Sequence, residues 1–339
     1  MSNRDILALG TSAGGVEALL FLAKSFAPDF PASVFVTIHL ASQFRSGLDE
    51  VLDRAGPLPA VFARDGDQLR KSHIYIAPTD RHLLIENERI VLGHGSRENN
   101  SRPAIDPMMR SLAACCGWRT VGVVMTGTLT DGASGLWAIG QCGGLTVVQD
   151  PSDAAFSDMP ANALNRIRPN HVVTLAAMPK LLASLALQPA GEAMPVPESI
   201  GFEIEIAKGG HAAIEDMDQI GRRSGLACPD CHGAMWEIDE GDLIRYRCHV
   251  GHTYTAEMMS LALDDNLRRA LGSALRALEE RRALARKLER QADRHRQSHL
   301  ARSWAQRADE YQRELNVIRN SVDRLDRIAQ QLEKKAAAE

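Results

Sequence analysis

In the first half of the chain, apolar residues fall into short unbroken runs, separated by stretches where they recur every three or four positions. The runs at 5–10, 33–39, 60–63, 121–126, 145–149 and 171–174 are rich in β-branched residues. Continuous apolar runs of this length suit strands covered on both faces, since both sides of the pleat must meet apolar neighbours. Residues 16–26 and 104–116 carry the helical period, and Pro103 and Asp106 suit the start of the second helix. Alternation of the two patterns over 1–186 predicts an α/β fold, a doubly wound and mainly parallel sheet. Residues 73–93 differ. Their runs His-Ile-Tyr-Ile-Ala, His-Leu-Leu-Ile and Arg-Ile-Val-Leu, joined by Pro-Thr-Asp and Glu-Asn-Glu, predict an appended antiparallel hairpin.

After residue 186 the pattern breaks. Prolines, alanine, glycine and glutamate over 187–200, a short strand expected at 202–206 and a polar stretch after it make 187–225 a linker. A compact cysteine segment fills 226–255. From 256 to 339 there is no proline, glycine occurs only at 272, and charge is dense. Leu267, Leu271, Leu275 and Leu278 form one apolar stripe, and Leu315, Ile318, Val322, Leu325 and Leu332 another. Both have helical spacing, which predicts either a helical hairpin bending near His295–Ser298 or one continuous coiled coil.

Composition narrows the classes. A length of 339 residues allows about two domains. A net charge of −4 argues against dominant nucleic-acid binding. No apolar run approaches the roughly 20 residues of a membrane span, so direct membrane insertion is not expected. The start, Met-Ser-Asn-Arg-Asp, lacks a basic-then-apolar leader, which points to a cytoplasmic protein. Cys115, Cys116 and Cys142 lie in apolar surroundings, whereas Cys228, Cys231 and Cys248 cluster with histidines. In a reducing compartment the second set suggests metal binding.

Three polar residues follow apolar strands. Ser12 lies in Gly10-Thr-Ser12-Ala-Gly14, the G-x-S-x-G pattern of a strand–turn–helix that lifts a serine above a sheet. A dinucleotide-binding turn is the competing use of such a segment, but G-x-G-x-x-G from Gly10 would require glycine at 12. The next strand also ends in His39, not in an acidic ribose partner. Singly, each residue suits a structural duty as well: a turn or cap for Ser12, a core position for His39, a helix cap for Asp131. In a parallel sheet, however, strand carboxyl ends converge on one edge. There Ser12 can attack a carbonyl, His39 can carry the proton, and Asp131 can orient the imidazole. Backbone N–H groups at the 12–15 turn, including Ala13, or near Thr128 can hold the oxyanion, each worth roughly 3–4 kcal/mol. Arg102 is a candidate contact for an acidic substrate and Met159 a candidate cleft residue. A helix-start surface role and a buried methionine are the plainer alternatives.

At these residues the chain resembles the catalytic domain of the bacterial chemotaxis protein-glutamate methylesterases. The resemblance covers about 4–186 and rests on an ordered series of blocks. They are Gly-Thr-Ser-Ala-Gly-Gly-Val-Glu-Ala-Leu, Ile-His-Leu, Ile-Tyr-Ile-Ala-Pro-Thr-Asp-Arg-His-Leu, Ser-Arg-Pro-Ala-Ile-Asp, Met-Thr-Gly-Thr-Leu-Thr-Asp-Gly-Ala-Ser-Gly and Gln-Asp-Pro-Ser-Asp-Ala-Ala-Phe-Ser-Asp-Met-Pro. The family's serine, histidine and aspartate fall on Ser12, His39 and Asp131. The resemblance implies hydrolysis of glutamate γ-methyl esters on chemoreceptors, with deamidation of receptor glutamines as a related activity and no catalytic cofactor. The chain departs from the family at Ala13, often threonine there, and at Thr128-Leu-Thr130, where Met-Gly-x is common. With its first strand at residue 5, the chain is not expected to carry the family's N-terminal receiver domain.

Cys228-Pro-Asp-Cys231 and Cys248-His-Val-Gly-His252 offer two pairs of ligands for a tetrahedral zinc, sixteen residues apart. His252 is the preferred fourth ligand over His249 or His232, in a zinc-ribbon-like module with a two-stranded segment; buried metal-free thiols are the alternative. A full ligand set suits structural zinc. The helical tail either pairs with itself or offers a surface for self-association, a response regulator or the receptor. Besides the methylesterase reading, an esterase for another signalling substrate and a non-catalytic signalling scaffold remain open.

Overall fold

The computed structural model describes residues 3–39, 47–209, 214–240 and 243–336, excepting the side chains of 243 and of 328 onward. The chain divides into two compact units, Met1–Met259 and Ser260–Glu339. The first unit opens with β1 (Ile6–Thr11), α1 (Gly15–Ser25), β2 (Ser33–Ile38), α2 (Leu48–Ala55), β3 (Ala60–Phe62) and β4 (His73–Ile76). There follow β5 (His82–Glu86), β6 (Arg89–Gly93), α3 (Ile105–Cys116), β7 (Thr120–Val124), α4 (Ala133–Gln141) and β8 (Leu145–Gln149). Next come α5 (Asp158–Leu164), β9 (His171–Val173), α6 (Met178–Leu187), α7 (Glu198–Lys208) and α8 (Ile214–Ile220). The unit continues through β10 (Arg222–Ala227), β11 (Ala234–Glu240), β12 (Leu243–Cys248) and β13 (Thr253–Thr255).

Seven strands form a sheet in the order β3-β4-β2-β1-β7-β8-β9, parallel at every pairing. Every residue of β1, β2 and β7 is buried, as their uninterrupted apolar runs require. Alternate side chains feed two cores: Leu7 and Leu9 pack with α1, α2 and α6, and Ile6 and Ala8 with α3 and α4. From β1 the chain moves outward through β2 to β4 and β3, then returns to place β7 on the other side of β1. The carboxyl ends of β2, β1 and β7 are thereby neighbours at the point where strand order reverses, where open α/β sheets build their sites.

Two sequence expectations are corrected. The run at 73–76 pairs in parallel with β2, Ser33 opposite His73, so only β5 and β6 form the antiparallel hairpin. His-Ile-Tyr-Ile is apolar enough to be covered on both sides and so fits inside the sheet. The expected strand at 202–206 lies within α7. Phe-Glu-Ile-Glu-Ile alternates, but Ile200, Glu203, Ile206 and Ala207 are the buried positions, a helical spacing. The stretch expected as a linker at 187–225 therefore contains helices α7 and α8 and the start of β10.

β10 to β13 form a four-stranded antiparallel sheet. It joins the parallel-sheet layers through six buried charges: Glu98, Arg110, Glu203, Glu240, Arg245 and Arg247, none more than 4% exposed. Arg110 Nε lies 2.8 Å from Glu203 Oε2 and also pairs with Glu98. Arg245 donates to Glu240 Oε2 at 2.9 Å and also pairs with Glu203, while Arg247 lies 3.6 Å from Glu98 and 3.5 Å from Glu203. Ser134 Oγ donates to Glu240 at 2.7 Å. Burial alone would raise the pKa of Glu203; Arg110, Arg245 and Arg247 outweigh it and hold the carboxylate below its ordinary range.

Helix α9 (Ala256–Arg294), whose first four residues belong to the first unit, and α10 (Ser298–Ala336) are separated by a turn containing Arg296 at φ 57°. Arg286 pairs with Asp309 at 2.5 Å and Arg319 with Glu279 at 2.6 Å, the cross-links of an antiparallel hairpin. Its closed seam holds Ala285, Ala292, Ala301, Ala308 and Leu315, each buried and spaced by sevens within its helix. Leu332 lies outside the described side chains.

Arg245→Met should leave Glu203 and Glu240 short of a buried partner and destabilise the protein by about 3–5 kcal/mol in denaturant titration. A loss under about 1 kcal/mol would show that the network does not hold the two sheets together.

Candidate active site and metal centre

Ser12 occupies the turn between β1 and α1. Gly14, at φ 72°, takes the left-handed conformation that reverses the chain, and Gly15 N–H donates to the Ser12 carbonyl at 3.0 Å. Ser12 N–H donates to the Thr126 carbonyl at 3.0 Å, which ties the turn to the end of β7. A Cβ at Gly127 would stand 2.9 Å from Ser12 Cβ and 2.3 Å from Met159 Sδ. Only glycine lets this segment pass so close.

His39, one residue past β2, links the other two groups. Its Nδ1 lies 3.1 Å from Ser12 Oγ and its Nε2 lies 2.7 Å from Asp131 Oδ2. With the proton on Nε2 held by the carboxylate, Nδ1 presents its lone pair to the serine. Asp131, 1% exposed, follows β7. Its Oδ2 also accepts the Ile105 N–H at 2.7 Å, and its Oδ1 accepts from Asn99 Nδ2 at 3.2 Å, Asp106 N–H at 3.2 Å and Gly132 N–H at 3.0 Å. Ile105 and Asp106 open α3, so the carboxylate sits on a helix N-terminus. Burial pushes its pKa up, yet the His39 hydrogen bond and charge and the backbone donors prevail and keep it below the ordinary carboxylate range. Asp106 goes the other way: burial first, then the Asp131 charge, raise it well above that range.

Among the described residues, neither the Ala13 nor the Thr128 N–H donates to another protein group. Ala13 and Thr128 are both half-buried beside the serine turn and the Asp131 loop. Arg102 is engaged elsewhere: its guanidinium donates to Asp80 Oδ1 at 2.7 and 2.9 Å and to the Gly95 carbonyl at 2.7 Å. Met159 is 1% exposed and packs in the core under Gly127.

A second cluster lies at one end of the antiparallel sheet. Cys228, Cys231, Cys248 and His252 place one ligand atom each within 4.8 Å of all the others. Cys231 Sγ is 3.7 Å from Cys248 Sγ, and His252 Nδ1 is 3.6 and 3.5 Å from the sulfurs of Cys228 and Cys248. Tetrahedral zinc at its usual bond lengths needs edges of about 3.8 Å between sulfurs and about 3.5 Å between sulfur and nitrogen. The other ring nitrogen of His252 lies 3.9 Å from Asp230, whose carboxylate accepts the Tyr254 hydroxyl at 2.5 Å. The donor set fits a metal of this kind. His249 instead packs near Gly233.

Sequence reasoning missed Asn99 and gave Asp106 only a helix-start duty. Asp106 Oδ1 accepts the N–H groups of Gly132 and Gly135 at 3.0 and 2.7 Å, so it shapes the Asp131 loop. Its signal was its place in the Ser-Arg-Pro-Ala-Ile-Asp block. Asn99 had only an Asn-Asn turn to mark it.

Residues 7–182 match the family model described as CheB methylesterase. The chain is 33% identical over 184 residues to protein-glutamate methylesterase/protein-glutamine glutaminase 4 of Geobacter metallireducens, covering 54% of this chain and 53% of that one. It is 37% identical over 168 residues to the corresponding protein 2 of Pseudomonas aeruginosa, covering 48% of each. The crystal structure of the CheB methylesterase catalytic domain of Thermotoga maritima superposes with a TM-score of 0.52 at 28% identity, covering 55% of this chain and 100% of that one. The chain thus spans about half the length of the curated relatives it matches.

The opposite shifts of the two aspartates have opposite linkage signs. Asp131, depressed in the folded state, stabilises above the ordinary carboxylate range, and that stability is lost as pH falls through its folded value. Asp106, raised, loses stability as pH climbs from the ordinary range through its folded value. Asp106→Asn should therefore gain more in Tm relative to wild type at pH 8 than at pH 5. Asp131→Asn should lose equally at pH 5 and pH 8, both above the ordinary carboxylate range, and lose less only as pH falls from about 4 toward about 2. A gain for Asp106→Asn that does not grow with pH, or a loss for Asp131→Asn that does, would refute this assignment.

Proposed function

Because the chain belongs to the CheB methylesterase family across residues 7–182, we propose that it removes methyl groups from glutamate γ-methyl esters of chemoreceptors, as a cytoplasmic serine hydrolase. The observation that carries this reading is the hydrogen-bonded line Ser12–His39–Asp131 at the switch point of the sheet. Ser12 Oγ attacks the ester carbonyl as His39 Nδ1 takes its proton. Asp131 stabilises the imidazolium, and the proton then passes to the leaving methoxide, releasing methanol. Water, deprotonated by the same nitrogen, attacks the acyl-enzyme; the Ser12 Oγ–acyl bond breaks, His39 Nδ1 returns the proton to Ser12 Oγ, and the glutamate is freed. The N–H groups of Ala13 and Thr128 serve the oxyanion, each worth roughly 3–4 kcal/mol. Glutamine deamidation follows the same route with ammonia as the leaving group.

Arg102, paired with Asp80, belongs in this reading to the rim that an acidic substrate approaches, and Met159 supports Gly127 from beneath. Cys228, Cys231, Cys248 and His252 take a structural zinc, which braces the knuckle and leaves no ligand position for substrate. The α9–α10 hairpin carries exposed Leu267, Leu284, Leu300 and Val317, and is the segment we assign to a response regulator or a second copy of the chain.

Purified protein mixed with methylated receptor membranes should release methanol, and Ser12→Ala should reduce release to background. Labelling of Ser12 by a fluorophosphonate without methanol release would favour another ester, and failure of both would favour a scaffold. Metal analysis should find one zinc per chain, lost in Cys231→Ser; a full zinc content in that variant would exclude the ligand set.

A further inference from the structure

The cysteine knuckle and the catalytic aspartate lie at two ends of a short path. β13 starts at Thr253, the residue after the ligand candidate His252, and the Thr253 carbonyl accepts the Asn99 N–H at 2.9 Å. The side chain of Asn99, itself 3% exposed, then donates from Nδ2 to Asp131 Oδ1 and to Asp106 Oδ2, each at 3.2 Å. Two residues further along β13, Thr255 Oγ1 lies 2.8 Å from Thr130 Oγ1, on the residue just before Asp131. Both threonines are buried. A third tie comes from Ser96, whose Oγ donates to the Val250 carbonyl at 2.8 Å, between Cys248 and His252.

These bonds attach the knuckle to two of the segments around Asp131: residues 96–99 and the β7 loop that carries it. Among the described donors to Asp131, Asn99 is the one whose backbone is held by β13. Asn99 and Asn100 have φ of 49° and 62°, a conformation that asparagine tolerates and that surrounding contacts must keep. The segment from Cys248 to His252 turns through Gly251 at φ 108° and is closed by the Cys248 N–H to the His252 carbonyl at 3.1 Å and the Gly251 N–H to the Cys248 carbonyl at 2.9 Å. Metal coordination to residues at both ends of that turn would add side-chain bonds to this backbone closure and fix where Thr253 begins.

We propose that Asn99 is a positioning residue for Asp131, and that the metal-bound knuckle sets the position of Asn99 through Thr253. Triad competence then depends on metal held more than one residue layer away, without the metal touching substrate. The proposal rests on the reading of Ser12 as nucleophile. It requires neither the receptor substrate nor the tail.

The test uses the full chain and p-nitrophenyl acetate, an activated ester that reports the triad whatever the natural substrate. Rates are normalised to Ser12 titrated by a fluorophosphonate, so unfolded protein does not count. Asn99→Ala should keep its zinc and its KM but lose about tenfold or more in kcat, the size of one hydrogen bond to a charged group. Chelation of wild type should cause a similar loss, reversed by zinc alone. Chelated Asn99→Ala should lose little more than either change by itself, since both act on one contact. Thr255→Val, which keeps the strand and removes the hydroxyl pair, should show a smaller kcat loss at unchanged KM and zinc content. Asn99→Ala within about twofold of wild type, or losses from chelation and substitution that multiply, would overturn the proposal. A wild type inert to both ester and fluorophosphonate would count against the hydrolase reading itself, a separate outcome.

Discussion

Six charged side chains buried in one junction can persist only as a set, because each one without its partners would face a desolvation penalty of several kcal/mol. Glu98 comes from the loop before α3, Arg110 from α3, Glu203 from α7, Glu240 from β11 and Arg245 and Arg247 from β12. Three carboxylates and three guanidinium groups balance formally. The arrangement requires α7 to be a helix, requires β11 and β12 to approach α3 in one register, and orders the loop that carries Asn99. Ser134, at the start of α4 beside the Asp131 loop, completes Glu240. The antiparallel sheet is thereby part of the same structural unit as the site it borders.

The site itself follows from strand order. Ser12, His39 and Asp131 come from three segments spread over 120 residues of chain, yet they follow β1, β2 and β7, which are adjacent in the sheet. A hydroxyl on a tight glycine turn, an imidazole just past the next strand and a carboxylate against a helix N-terminus meet in the loops that follow their strands. Asp131 stays ionised in a dry environment because five hydrogen bonds converge on it. Asp106 lies on the same helix turn and is forced the opposite way. The pair illustrates how two neighbouring carboxyl groups are driven apart by what stands beside them, His39 beside Asp131 and the Asp131 charge beside Asp106, and not by burial, which both share.

Apolar continuity was a sound guide to the strands because a strand covered on both faces has no alternative pattern. It failed at 202–206, where a two-residue alternation of isoleucine and glutamate hid a helix. Glu203 is buried there by arginines over 40 residues later in the chain, and local sequence cannot register that. It also misjudged 73–76, since a short apolar run has the same appearance in a hairpin as in a sheet interior; which partner it pairs with is a long-range decision.

From the sequence alone came the α/β architecture, the three residues at the strand ends, the C-x-x-C and Cys-His-Val-Gly-His pairs and a long helical tail, bent or continuous. Each depends on spacing within a few residues: the glycine turn, the strand run, the ligand pair, the helical stripe. Tertiary structure alone decided which ring nitrogen of His39 meets the serine, that Asn99 and Asp106 surround Asp131, and that the knuckle's next strand grips the loop beneath the triad. It also chose the bend between α9 and α10 over a continuous rod. The physical reason is the same throughout. Local spacing dictates what a segment can form, whereas a buried charge or donor is satisfied only by whichever distant groups the fold brings to it.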